Sequence, residues 1–287
     1  MTFSGTRPGG TDGVTAVGTG DFSELLRLSG NAPTTAETFR ASGHALTSAV
    51  TSTGVPALHT EATTVLSFQY KDGVLIAGDR RATAGNIIMY DRADKVIELD
   101  GDTIIAIAGS PAVAFEMART LQTSFQYYRR SQLQALTLAA KVRALGKLIK
   151  DNLPMTLQGV GTVVPILAAR DTQHKTDPTL YFYDALGAQF QAVDFAVSGS
   201  GSPAARSVLQ WMNRWSGHPT IRRDEKEAVQ LALQLLDVAA ESDSATGGVD
   251  RRSHIFPQIK LLTRDGLNSL SVDTIRECFT ALELAQK

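Results

Sequence analysis

The sequence predicts a four-layer α/β/β/α sandwich, in which two antiparallel sheets stack face to face and helices cover the outer side of each sheet. The first reason is the order of predicted elements along the 287 residues: strands, two helices, strands, two helices and a further strand. The second reason is that short turn signals separate neighbouring strand segments, which is typical of hairpins and therefore of antiparallel pairing.

Two hairpins open the folded part of the chain. Each consists of two apolar segments around a short turn, which is Asp72-Gly73 in the first hairpin and Gly101-Asp102 in the second. The strand segments are residues 64–70, 74–78, 95–99 and 103–108.

Two amphipathic helices follow these hairpins. One carries apolar residues at helical spacing from Ala114 to Tyr128, and the other carries them from Leu138 to Ile149, before Pro154. Because each apolar stripe is one-sided, we expect both helices to pack against a core. Strands are predicted again at residues 161–169, 180–183 and 189–197.

Two more helices and a strand complete the pattern. Ser202 is expected to cap one helix, with Pro203 at its first position. The other helix begins at Asp224, from which Glu227 stands at capping-box spacing. Residues 255–263 form the last predicted strand.

Composition separates the first 62 residues from the rest of the chain. They are rich in Gly, Thr, Ser and Ala and poor in aromatic residues, so they bury too little apolar surface to offset the entropy of ordering. Composition alone leaves both a flexible tail and a propeptide open. We therefore divide the chain into a leader, residues 1–62, and a folded domain, residues 63–287.

Charge, cysteine content and hydropathy argue against several function classes. Lys and Arg number 28 and Asp and Glu number 29, so net charge does not draw the chain to nucleic acid or to an anionic membrane. The single cysteine, Cys278, has no second cysteine to pair with and no neighbour at metal-ligand spacing. No apolar run has membrane length, so we expect a cytoplasmic protein. Separately, we expect the activity to require no metal and no other cofactor.

Six short motifs resemble, in order and spacing, those of a mature proteasome β-subunit. They are Thr63-Thr64-Val65, Gly78-Asp79-Arg80-Arg81-Ala82-Thr83, Lys95, Ala108-Gly109-Ser110, Ser198-Gly199-Ser200-Gly201-Ser202 and Asp243-Ser244-Ala245-Thr246-Gly247-Gly248. The resemblance covers nearly all of residues 63–287, and the last motif is most similar to the actinobacterial type. It implies the N-terminal nucleophile hydrolase fold and a threonine-type endopeptidase.

A threonine at a free N-terminus can supply both a nucleophile and a base. A hydroxyl is a weak nucleophile at neutral pH and needs a neighbouring base to take its proton. The reference pKa of an α-amine is about 8, so a freed Thr63 amine can accept the Oγ proton directly or through one water. This chemistry requires cleavage between Ala62 and Thr63, and we therefore expect residues 1–62 to be a propeptide removed by self-cleavage.

The other motif residues have expected roles around Thr63. Lys95, paired with Asp79, would stay charged, favour the unprotonated amine and stabilise a developing alkoxide. Gly109 offers a backbone N–H to the oxyanion of a tetrahedral intermediate. Taken singly, these residues would indicate only a salt bridge, a strand end and helix caps. The side chains expected to orient the amine and its water are Ser200, Asp243 and Thr246.

The resemblance also implies how an extended substrate binds. The backbones of Thr83 and Gly85 would pair with the substrate by strand addition. The pocket for the side chain before the cut bond would be formed by four small or apolar residues, so we expect small or hydrophobic side chains to be preferred. These residues are Ala82, Ala93, Ile107 and Pro111.

One position departs from the family pattern. The family usually has glycine immediately before the nucleophilic threonine, whereas this chain has Ala62. Alanine restricts φ in the turn that self-cleavage requires, so we expect cleavage to be slower or displaced. A chain that is not cleaved keeps the α-amine of Thr63 in an amide and would be inert.

Three other functions are open to this sequence. An HslV-type peptidase also begins with Thr-Thr, but the long leader argues against it. A non-catalytic structural ring subunit would have no chemical need for Thr63, Asp79, Lys95 and Ser200 together. A serine hydrolase is disfavoured because Ser198 stands where a Gly-x-Ser-x-Gly elbow needs glycine.

The resemblance implies assembly with other chains. Proteasome β-subunits form homo-heptameric rings that stack between two rings of α-type subunits. A separate ATPase ring feeds unfolded proteins into the chamber, and in relatives of this type those proteins often carry a small protein tag. We expect these partners and no nucleic acid or membrane partner.

Overall fold

A computed structural model describes residues 63–84, 87–171 and 176–285. The predicted propeptide, residues 1–62, lies outside this part of the chain, as do Ala62 at the expected cleavage site and Gly85 of the expected substrate-binding segment.

The first sheet has five strands and contains the hairpin predicted at the start of the domain. In spatial order its strands are β10 (Phe195–Gly199), β1 (Thr64–Tyr70), β2 (Gly73–Gly78), β11 (Gln258–Thr263) and β12 (Leu267–Ser269). Every neighbouring pair is antiparallel.

The second sheet also has five antiparallel strands, which follow one another along the chain. They are β5 (Val96–Asp100), β6 (Thr103–Ala106), β7 (Ile166–Ala169), β8 (Thr179–Tyr183) and β9 (Gln189–Ala192). Two short strands, β3 (Ala82–Ala84) and β4 (Ile87–Tyr90), pair as a separate antiparallel hairpin. In the sequence they lie between β2 of the first sheet and β5 of the second.

Helices cover the outer face of each sheet. The described α-helices are α1 (Pro111–Gln132), α2 (Leu138–Asp151), α3 (Leu153–Leu157), α4 (Ser202–Trp215), α5 (Glu225–Ser242) and α6 (Val272–Ala285). None of them is both long enough and apolar enough to cross a membrane.

Three hydrophobic cores separate the four layers. Strand β1 shows the arrangement, because Val65 packs between the two sheets whereas Leu66 packs on the opposite face, among residues of α4, α5 and α6. On the outer face of the second sheet, Leu167 packs with Leu121 of α1 and Leu145 of α2. Both faces of the central strands are buried, which explains their continuous apolar sequence. The predicted four-layer sandwich is confirmed.

Several local features differ from the sequence-based predictions. The strand predicted over residues 189–197 is two strands, because a bend at Val193-Asp194 takes the chain from β9 in the second sheet to β10 in the first. The strand predicted from Gly161 begins at Ile166, after Pro165, which has no N–H for a sheet ladder. The hairpin β3–β4, strand β12 and helix α6 were not predicted.

Helix starts give one correction and one confirmation. Gly201, not Ser202, occupies the capping position of α4, and no side chain caps that helix. The predicted capping box of α5 is confirmed: the Glu227 N–H donates to Asp224 Oδ1 at 2.9 Å, and the Asp224 N–H donates to Glu227 Oε2 at 3.1 Å.

Candidate active site

The register of the first sheet brings three motifs to one end of the sandwich. Thr64 of β1 pairs with Gly199 of β10, and Val65 pairs with Gly78 of β2. The residues next in the chain, Thr63, Ser200 and Asp79, therefore meet at this end although they come from distant parts of the sequence.

The second sheet contributes its residues to the same end. Lys95 immediately precedes β5, and its carbonyl accepts a hydrogen bond of 2.9 Å from the Ile107 N–H, just beyond the end of β6. Gly109 follows two residues later. Thr63, Lys95 and Gly109 all line one cavity of about 280 Å³.

A close backbone contact holds Thr63 against the end of β10. The Ser200 N–H donates to the Thr63 carbonyl at 3.0 Å, and Thr63 itself is only 4% exposed. Gly199 has φ of +100°, and a Cβ at that position would lie 1.7 Å from the Thr63 carbonyl oxygen. Glycine is therefore required here both for its conformation and for the space that it leaves.

Asp79 accepts four hydrogen bonds in a fully buried position. Its Oδ1 accepts from Lys95 Nζ at 2.7 Å and from the Thr64 N–H at 2.8 Å. Its Oδ2 accepts from the N–H groups of Arg81 and Gly247, each at 2.9 Å. These four donors occupy the lone pairs of the carboxylate, so Asp79 is an acceptor and not a base in this arrangement.

The Lys95 ammonium lies between opposing electrostatic effects. Burial lowers the pKa of Lys95 below its ordinary value, and the attraction and hydrogen bond of Asp79 offset this only in part. The Arg81 carbonyl accepts a second, short hydrogen bond from Lys95 Nζ. Two acceptors therefore fix the ammonium at the cavity wall.

The three remaining predicted side chains form one hydrogen-bonded cluster. Asp243 Oδ2 accepts from Ser200 Oγ at 2.5 Å and from Thr246 Oγ1 at 2.6 Å. Burial alone would raise the pKa of Asp243, but these two hydrogen bonds, a third from the Ala245 N–H and the charge of Lys95 together hold the pKa below its ordinary value. Asp243 is therefore a carboxylate at neutral pH. The cluster lies beside Thr63, because the Ser200 N–H donates to the Thr63 carbonyl.

Gly109 lies where the chain leaves the second sheet. Its φ is +104°, and it forms an isolated antiparallel bridge with Val163. A Cβ at this position would lie 2.1 Å from the Thr162 carbonyl oxygen. Glycine thus lets the backbone turn past residue 162 while remaining on the cavity wall.

The cavity contains the residues expected to form the side-chain pocket, and others besides. Ala82, Ala93, Ile107 and Pro111 all line it, whereas Thr83 is buried and is not among its lining residues. The additional lining residues include two charged side chains, whereas only small or apolar residues were expected in this pocket from the sequence. These additional residues are Tyr90, Arg92, Asp94 and Phe115.

Sequence reasoning also missed residues that hold the site together. Arg81 donates from Nη1 to the carbonyls of Ser244 and Thr246, at 3.0 and 3.1 Å, and so fixes the loop that carries Asp243. Thr64 and Gly247 bind Asp79 through their N–H groups. All three belong to motifs identified in the sequence, so their positions were a signal, but backbone contacts leave no residue-type pattern to recognise.

Within residues 63–84, 87–171 and 176–285, no group of three or more His, Cys, Asp or Glu side chains could hold a metal ion. A larger cavity of about 630 Å³ lies near the β1–β2 turn and contains none of the predicted site residues. Because Thr63, Lys95 and Gly109 line the smaller cavity, that cavity is the candidate active site.

Comparison with known proteins gives a consistent family. A family model described as proteasome subunit matches residues 59–255. Proteasome subunit beta 1 of Streptomyces avermitilis is 40% identical over 213 residues, which is 72% of each chain. Proteasome subunit beta 2 of Thermomonospora curvata is 39% identical over 215 residues, 75% of this chain and 74% of that one. Proteasome subunit beta of Acidothermus cellulolyticus is 36% identical over 217 residues, 74% of this chain and 72% of that one.

Proposed function

Because this chain belongs to the proteasome subunit family, we propose that Thr63 is the catalytic nucleophile with which it cleaves unfolded polypeptides. The chain is a β-type subunit of a bacterial 20S proteasome core, and the activity of the family is that of a threonine peptidase. The observation that carries the assignment is that Thr63, Lys95 and Gly109 line one cavity, with Lys95 held by Asp79.

The proposed reaction begins with removal of residues 1–62 by cleavage of the Ala62–Thr63 bond. The freed Thr63 amine accepts the Oγ proton, and Oγ attacks the carbonyl carbon of the substrate. The tetrahedral intermediate collapses, the peptide C–N bond breaks, and the leaving amine takes the proton. An ester on Thr63 Oγ remains, and water hydrolyses it to release the acid and restore the hydroxyl.

The surrounding residues are proposed to act by electrostatics and orientation. The Gly109 N–H donates to the oxyanion of the tetrahedral intermediate. Lys95 lowers the free energy of the alkoxide and disfavours protonation of the nearby amine, while Asp79 holds the ammonium in place. Ser200, Asp243 and Thr246 orient the amine and its water.

Substrate recognition is proposed to combine strand addition with one side-chain pocket. The backbones of Thr83 and Gly85 pair with an extended substrate. The side chain before the cut bond enters the cavity, where Ala82, Ala93, Ile107 and Pro111 favour small or hydrophobic groups.

Membership of the family implies assembly with α-type and other β subunits in rings. We propose a homo-heptameric β ring between two α rings in the cytoplasm, with an ATPase ring that delivers tagged proteins. Two alternatives remain distinct from this proposal. The first is an HslV-type peptidase, and the similarity to proteasome β-subunits favours the proposed function over it. A non-catalytic structural subunit would result if Ala62 prevented cleavage.

The test is to measure intact mass and peptide hydrolysis of the chain after co-assembly with an α-type subunit. Thr63→Ala removes the nucleophile, and Thr280→Ala removes an exposed hydroxyl on α6 as a control. We expect the unmutated chain and Thr280→Ala to lose residues 1–62 and to hydrolyse peptides, whereas Thr63→Ala keeps full mass and is inactive. Hydrolysis by a homogeneous Thr63→Ala assembly would refute the mechanism, and full mass in all three assemblies would indicate the structural subunit.

A further inference from the structure

Thr64 contacts two groups of proposed site residues, although no role has been assigned to its side chain. One group is the ion pair of Asp79 and Lys95, and the other is the cluster of Ser200, Asp243 and Thr246. Its N–H donates to Asp79 Oδ1 at 2.8 Å, and its carbonyl accepts from the Asp79 N–H at 3.1 Å. Its hydroxyl faces the other group: Oγ1 accepts from the Gly201 N–H at 3.0 Å and lies 2.5 Å from Thr246 Oγ1. The side chain is fully buried, so water does not compete for these contacts.

The direction of the hydrogen bond between the two threonines follows from counting protons. A hydroxyl has one proton to donate. Thr246 Oγ1 donates its proton to the carboxylate of Asp243, at 2.6 Å from Oδ2. Thr246 can therefore only accept from Thr64, and Thr64 Oγ1 is the donor. The hydrogen bonds run in one direction, from the Gly201 N–H through Thr64 and Thr246 to Asp243.

The same reasoning fixes the hydroxyl of Ser200. Ser200 Oγ donates to Asp243 Oδ2 at 2.5 Å, so its proton is also committed to the carboxylate. The remaining lone pairs of Ser200 Oγ can only accept, and any group that binds them must be a donor. An N-terminal amine at Thr63, or a water beside it, is such a donor.

Gly201 leaves the space that the pair of hydroxyls occupies. A Cβ on Gly201 would lie 2.5 Å from Thr64 Oγ1 and 2.7 Å from Thr246 Oγ1, too close for either hydroxyl to stay in place. The φ of Gly201 is −82°, which any residue can adopt, so space rather than conformation calls for glycine.

We propose that Thr64 is a positioning residue of the active site, whose hydroxyl holds Gly201 and Thr246 so that Ser200 and Asp243 present fixed acceptors to the Thr63 amine. This inference rests on the proposed function of Thr63. Without the Thr64 hydroxyl, the buried Gly201 N–H loses its acceptor and Thr246 Oγ1 loses its donor. Gly201, which follows Ser200, and Thr246, which binds Asp243, are then free to shift.

The test compares Thr64→Val and Thr64→Ser in the chain co-assembled with an α-type subunit, with kcat and KM for a peptide measured separately. Valine keeps the shape and removes the hydroxyl, whereas serine keeps the hydroxyl. Ser67→Ala is the matched control, because Ser67 is a fully buried residue on the same strand whose hydroxyl donates to the Leu75 carbonyl at 2.8 Å, outside the site.

We expect Thr64→Val to lower kcat about fivefold to tenfold with KM unchanged, as for the loss of one buried neutral hydrogen bond. Thr64→Ser and Ser67→Ala should retain the kcat of the unmutated chain. An equal kcat for Thr64→Val and Ser67→Ala would overturn the inference, as would an equal loss in Thr64→Val and Thr64→Ser.

Two further outcomes are informative. If Thr64→Val does not assemble, Thr64→Ala replaces it, with the same expected loss and the same contradicting result. If the unmutated assembly hydrolyses no peptide, the proposed function of Thr63 fails; if it is active and only the Thr64 comparison fails, the positioning role alone is wrong.

Discussion

The ion pair between Lys95 and Asp79 is the most strongly buried charge interaction at the proposed site. The two side chains are 4% and 0% exposed, and Nζ lies 2.7 Å from Oδ1. Removing one partner from such a pair leaves a charge without compensation in a low-dielectric region. The pair is therefore expected to contribute to stability as well as to catalysis.

Asp79→Asn tests the contribution of this pair to stability. We expect the free energy of unfolding of the chain, measured with urea, to fall by about 3–5 kcal/mol, because Lys95 loses its counter-charge. In addition, the amide NH2 group cannot accept the hydrogen bonds that a carboxylate oxygen accepts. The control is Asp151→Asn in the exposed pair with Lys147, at 2.6 Å, for which we expect less than about 1 kcal/mol. Equal losses in the two variants would contradict the prediction.

The protonation of Lys95 also predicts a pH dependence of hydrolysis. Activity should rise as the pH increases through the pKa of the Thr63 amine, about 8 in reference peptides, because the base must be unprotonated. It should fall again as Lys95 loses its proton, and burial places that loss below the ordinary lysine value of 10.5. The measurement is kcat/KM of the assembly against pH, with return to pH 7.5 as a control for denaturation. A plateau that continues above pH 10.5 would contradict the assigned role of Lys95.

At the scale of elements, the site depends on where three strands end. Strand β1 begins at Thr64, whereas β2 ends at Gly78 and β10 ends at Gly199. The register of the sheet places these three residues side by side. The motif residues Thr63, Asp79 and Ser200 occupy the first positions outside these strands, and the N–H groups of Asp79 and Ser200 still donate to the carbonyls of Thr64 and Thr63. The sheet thus supplies a rigid support for Thr63, which lines the cavity.

The contact between β10 and Thr63 gives a prediction at this scale. In Gly199→Ala the new Cβ would lie 1.7 Å from the Thr63 carbonyl oxygen, so we expect Thr63 to move and peptide hydrolysis by the assembly to be lost. Gly217→Ala is the control, since Gly217 also has positive φ, +72°, but in the described part of the chain no atom beyond its two sequence neighbours lies within 4 Å of the added Cβ. That control should lose only about 1–2 kcal/mol of stability and keep its activity. Full activity of Gly199→Ala would contradict this account of the contact.

At the scale of the whole molecule, the two sheets divide the proposed catalytic groups between them. Thr63, Asp79 and Ser200 lie at strand ends of the first sheet, whereas Lys95 and Gly109 lie at strand ends of the second. The core between the sheets, which includes Val65, Ile76, Ile104 and Ala168, fixes the distance between these two sets. Packing far from the cavity therefore controls whether Lys95 reaches Asp79.

The elements whose signals are local could be predicted from the sequence alone. The Asp72-Gly73 hairpin, the apolar stripes of α1 and α2 and the capping box of α5 each depend on residues within a few positions of one another. The motifs around Thr63, Asp79, Lys95 and Asp243 could be identified because their order and spacing along the chain resemble those of proteasome β-subunits. Their proposed roles remain predictions.

Contacts between residues that are distant in sequence became apparent only in the folded structure. The split of residues 189–197 between two sheets, and the charged Arg92 and Asp94 on the cavity wall, have no local signal. The bond between Thr64 and Thr246 joins residues 182 positions apart. Such contacts form because burial excludes water and each buried donor must find an acceptor, and local sequence does not specify which distant partner the folded chain supplies.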